Sequence, residues 1–63
     1  MHGKINFIDM IDLIGKNVEI YTVDIIYTGK LVEIGEEEVY IESTNGGIVI
    51  PTEKIAGIRE KKD

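Results

Sequence analysis

The residues able to do chemistry fall into three groups. Lys54, Arg59, Lys61 and Lys62 form a cationic cluster near one end of the chain, and Glu36, Glu37 and Glu38 form an unbroken anionic run. Tyr21, Tyr27 and Tyr40, with Phe7, are the aromatic rings. Clustered cations bind phosphate backbones by releasing counterions, and rings can stack on exposed bases. The same rings can instead pack across strands or at a subunit contact, where one end stays wet. The acidic run lacks the interleaved carboxylates and sharp turn of a calcium loop, and three adjacent like charges favour water, so it reads as a solvated loop tip.

Catalytic patterns are missing. There is no cysteine, and the single histidine is His2 at the start of the sequence, without a second histidine to share a metal. No histidine or cysteine stands where a serine nucleophile could use it. Gly46 and Gly47 are not followed by the Lys-Ser or Lys-Thr of a phosphate-cradling loop. The expectation is a non-enzymatic protein without metal or cofactor. Its 12 acids and 7 bases give a net charge of −5, so nucleic acid could be bound only through a local patch or through avidity.

The elements that would position these groups are legible from periodicity. In "KINFIDMIDLIGK", Ile5, Ile8, Ile11 and Ile14 recur at helical spacing, with Asp9 and Asp12 on the other side. Asn6 is a candidate cap and Gly15 a candidate terminator, which predicts a short amphipathic helix over about 5–14. The period then changes to two. Val18, Ile20 and Thr22 alternate with Glu19, Tyr21 and Val23. Tyr27, Gly29 and Leu31 alternate with Thr28, Lys30 and Val32, and Ile34 continues the latter face. Gly29 within a strand signals a sharp bend or a close backbone approach.

Asn45-Gly46 between β-branched runs is the preferred two-residue hairpin turn, which pairs residues 39–44 with residues 48–50. Pro51 cannot donate a backbone hydrogen bond and ends that strand. "PTEK" is long enough for one tight turn of 3₁₀ type before "IAGIRE" resumes with Ile55 and Ile58. One domain is expected, with the helix over about 5–14, a barrel over about 16–60 and a charged tail over 61–63. The fold class is all-β: a five-stranded, strongly bent antiparallel barrel.

A domain of 63 residues buries only about 60% of its unfolded surface, and no disulfide is available, so association between copies is the expected source of further support. The absence of cysteine, of a leader pattern and of a long apolar run predicts a cytoplasmic protein without a membrane partner.

The helix followed by five strands, the glycine of "YTGKLVEI" and the turn leading into "EKIAGI" together resemble the Sm-like (LSm and Hfq-like) small-barrel family. The resemblance implies a homo-oligomeric ring, hexameric or heptameric, in which strand four of one copy pairs with strand five of the next. Ile48, Val49, Ile50, Ile55 and Ile58 would form that interface. It further implies single-stranded RNA as a partner, bound at the turn over 52–54 and the loop near 35–40, with Gly35, Tyr40, Thr52, Lys54 and Arg59 as the contact residues. The sequence departs from the family at that site. "EIGEEEVY" lacks the family's loop asparagine and loop aromatic, and Thr52 and Glu53 stand where Hfq-like members carry a lysine–histidine pair. The alternative is a protein-interaction or scaffold barrel of PRC or KOW type that takes a basic protein partner and no RNA.

Overall fold

The computed structural model describes residues 10–62. Five strands follow one another: β1 (Asn17–Thr22), β2 (Ile26–Ile34), β3 (Glu38–Ser43), β4 (Gly46–Pro51) and β5 (Ile55–Glu60). They form one antiparallel sheet in the order β4-β3-β2-β1-β5. The strands of the sequence reading are therefore present. Of the helix expected over 5–14, residues 5–9 lie outside the described residues, and residues 12–14 form a turn and not a helix. Of its span, Met10 and Ile11 are helical, and Leu13 N–H donates to Met10 O at 2.9 Å in the turn that follows.

The sheet is curled. Its two edge strands, β4 and β5, are joined only by the 3₁₀ turn Thr52–Lys54. Four Cα steps reach at most about 15 Å, and a 3₁₀ rise of about 2 Å per residue shortens that to about 8 Å. In a flat five-stranded sheet the outer strands would stand about 19 Å apart. The edges must therefore approach each other at this corner, although β4 and β5 are not hydrogen-bonded partners among the described residues.

Two features supply the bend. Gly29 lies where β2 meets β3 so closely that a Cβ on it would sit 2.8 Å from the Glu42 carbonyl oxygen. The register of β2 against β3 also slips between Leu31 and Glu33, leaving Val32 as a bulge. That slip corrects the expected facing of Ile34. An inserted residue reverses the alternation, so Ile34 packs against the core while Val32 is exposed.

Met10, Val18, Ile20, Leu31, Val39, Ile41 and Ile50 form the buried core. Each strand from β1 to β4 contributes at least one of them. Ile48, Ile55 and Ile58 are half-buried against it.

The hairpin turn is also corrected. Ser43 pairs with Gly46, so the two central residues are Thr44 and Asn45. No non-glycine residue has positive φ among those described, whereas Gly46 has φ +120°. The turn is therefore not the doubly left-handed form that Asn-Gly suggests, and Gly46 alone takes the left-handed position after it. Ser43 Oγ staples the turn, accepting from Asn45 N–H at 3.1 Å and donating to Gly46 O at 3.0 Å.

Candidate functional site

The corner between β4 and β5 is joined to the β2–β3 loop. Thr52 N–H donates to Glu37 O at 2.9 Å, and Thr52 Oγ1 donates to Glu36 O at 3.4 Å. Gly35 N–H donates to Glu38 O at 2.8 Å and closes the loop. The loop over 35–38 and the turn over 52–54 therefore form one surface. The concavity there is lined by Glu36, Glu37, Glu38, Pro51, Thr52 and Glu53. Its four carboxylates outnumber the neighbouring Lys54 and repel a phosphate backbone.

The other expected contact residues lie elsewhere. Tyr40 sits on β3 opposite Val49, and its ring lies over the diagonal neighbour Gly47: a Cβ there would come 2.6 Å from Tyr40 Cε1. The bare glycine makes room for the ring, so Tyr40 is engaged in cross-strand packing. Arg59 is near the far end of β5, opposite Glu19 on β1. Its Nε donates to Glu19 Oε1 at 2.9 Å, and the Tyr21 hydroxyl donates to the same oxygen at 2.8 Å. These two bonds, Tyr21 first and Arg59 second, hold the Glu19 carboxyl below its ordinary value of 4.5. The Arg59 side chain remains 69% exposed.

The five proposed interface residues divide. Ile50 is 2% exposed, so its side chain belongs to the core and only its backbone reaches the β4 edge. Ile48, Ile55 and Ile58 also spend most of their surface inside the chain. Val49 is 55% exposed and faces outward from β4.

Two surfaces escaped the sequence reading. Val23, Ile25 and Ile26 are exposed where β1 turns into β2, beside a groove of about 460 Å³ that reaches Ile50, Pro51 and Ile55. Alternation placed Val23 in a strand, whereas it lies in the turn that Thr22 Oγ1 closes by accepting from Ile25 N–H at 3.1 Å. The second surface is a groove of about 280 Å³ on the outer face, lined in part by Lys61. Its residues come from separate strands, and only the pairing register brings them together.

Among the described residues no group of three or more His, Cys, Asp or Glu is placed to hold a metal ion, and no helix is long and apolar enough to cross a membrane. Comparison with family models, curated proteins and solved structures finds no match to this chain.

Proposed function

We propose that this chain is a non-catalytic Sm-like module whose curled sheet works as a small barrel, and that its copies assemble into a homo-oligomeric ring that binds single-stranded RNA. One observation carries the reading: among the described residues the sheet order leaves β4 and β5 as edges, joined by a single turn. An unpaired edge offers a row of backbone donors and acceptors. If β4 of one copy pairs with β5 of the next, the contact is head-to-tail, and such contacts generate a ring when the rotation closes. Val49, exposed on β4, supplies apolar surface at that contact.

A second reading has its own support. The glutamates at the corner form an anionic surface suited to a lysine- or arginine-rich protein segment rather than to RNA. Under it the same assembly is a scaffold for a basic protein partner.

Light scattering on the native protein tests assembly, and titration with labelled oligouridylate and with a lysine-rich peptide at low and moderate salt tests the ligand. A hexamer or heptamer that binds oligouridylate, with affinity falling as salt rises, supports the RNA reading. A ring that binds only the peptide moves the function to protein scaffolding. A monomer at all concentrations overturns the assembly on which both rest.

A further inference from the structure

The expected RNA site is acidic, so an RNA-binding protein with this sequence needs its cations elsewhere. Strand register gathers them on the outer face. Lys61 N–H donates to Asn17 O at 2.8 Å, Asn17 pairs with Lys30, and Lys30 pairs with Glu42. One row therefore runs Lys61, Asn17, Lys30, Glu42 across four neighbouring chain segments. With strands about 4.8 Å apart, Lys61 and Lys30 are about 10 Å from each other at the backbone. The next row on the same face holds Arg59, Glu19 and Thr28. Beside these residues lies a groove lined by Asn17, Thr28, Gly29, Glu42, Ser43, Thr44 and Lys61, so Lys61 borders it while Lys30 and Arg59 stand outside its lining.

We propose that this outer-face strip is a binding site for the phosphate backbone of a single-stranded nucleic acid, with Lys30, Arg59 and Lys61 as its cations. The inference rests on the RNA reading above and moves the contact away from the loop–turn corner. Arg59 is suited to the task because Glu19 fixes its Nε side, which leaves the rest of an exposed guanidinium fork to meet a phosphate. Lys30 and Lys61 form no ion pair with a carboxylate among the described residues. Asn17, Thr28 and Thr44 add neutral groups that tolerate a phosphate oxygen. Glu42 and the Arg59-paired Glu19 are the opposing charges on this face, and they limit affinity.

The experiment is an oligouridylate titration of the assembled full chain across a salt series. Its variants are Lys30→Gln with Lys61→Gln, Lys54→Gln, and Glu42→Gln, each checked for native mass and circular dichroism. Loss of two phosphate contacts lowers the slope of log affinity against log salt by about 1.4 and weakens binding about tenfold at low salt. That result is expected for the double variant, with Lys54→Gln unchanged and Glu42→Gln binding several-fold tighter. If Lys54→Gln loses binding while the folded double variant keeps it, the RNA reading stands and this site falls. If the wild-type ring binds no oligouridylate even at low salt, both fall together.

Discussion

Gly29 is the residue on which the curvature depends most directly. A methyl group added there would meet the Glu42 carbonyl at 2.8 Å and Ile41 Cδ1 at 3.2 Å, and the first of these is backbone that cannot rotate away. Gly29→Ala is therefore expected to cost about 1–3 kcal/mol through overpacking, read as a lower urea midpoint with an unchanged slope. A bend or close approach at this glycine was legible in the sequence because glycine is otherwise a poor strand residue. Glu19 is a different case. Its partner Arg59 is 40 residues away, so only the β1–β5 register reveals the contact. The Tyr21 and Arg59 bonds lower the folded value of Glu19 below the 4.5 of a free carboxyl. Ionised Glu19 thus contributes stability above that value, and the contribution is lost as pH falls through the lowered one. Urea midpoints measured from about pH 6 to about pH 3 are expected to fall less steeply in Glu19→Gln than in the wild type. Equal slopes would show that the three-residue cluster contributes nothing at the exposure of Arg59.

At the scale of elements, alternation located the strands because each side of this sheet meets a different medium. Val18 and Ile20 are fully buried while Glu19 and Tyr21, between and after them, face outward. The same rule failed at Val32, where one extra residue changes the register. Such insertions leave no compositional trace, since Val32 is as good a strand residue as its neighbours. The hairpin offers a direct check on the corrected turn. With φ +120° at Gly46, Gly46→Ala is expected to cost about 1–2 kcal/mol, whereas Asn45→Ala is expected to cost only a few tenths. A left-handed Asn45 would raise the second cost toward the first. Thermal denaturation of the two variants side by side distinguishes these turn geometries.

For the whole molecule, the 3₁₀ corner and the strand order act together. They bring the ends of the sheet close without pairing them, so among the described residues two rows of backbone groups remain open in a chain of only 63 residues. A domain of this size gains little from its own core, and assembly through those edges would add stability that depends on protein concentration. The sequence pointed to association through size and the lack of cysteine, but it could not tell which isoleucines face outward. Ile50 and Val49 look equivalent in "GGIVIP", yet one is in the core and the other 55% exposed. Val49→Lys tests this distinction because it places a charge on the β4 edge without touching the core, and charged edge residues oppose strand addition. The wild-type melting temperature is expected to rise with protein concentration, and the Val49→Lys protein is expected to melt at a concentration-independent temperature and to have the mass of one chain. If the variant keeps the wild-type mass, the copies do not meet through the side chain of Val49. Association would then have to use another surface, and the exposed Val23, Ile25 and Ile26 beside the corner offer the apolar area for it.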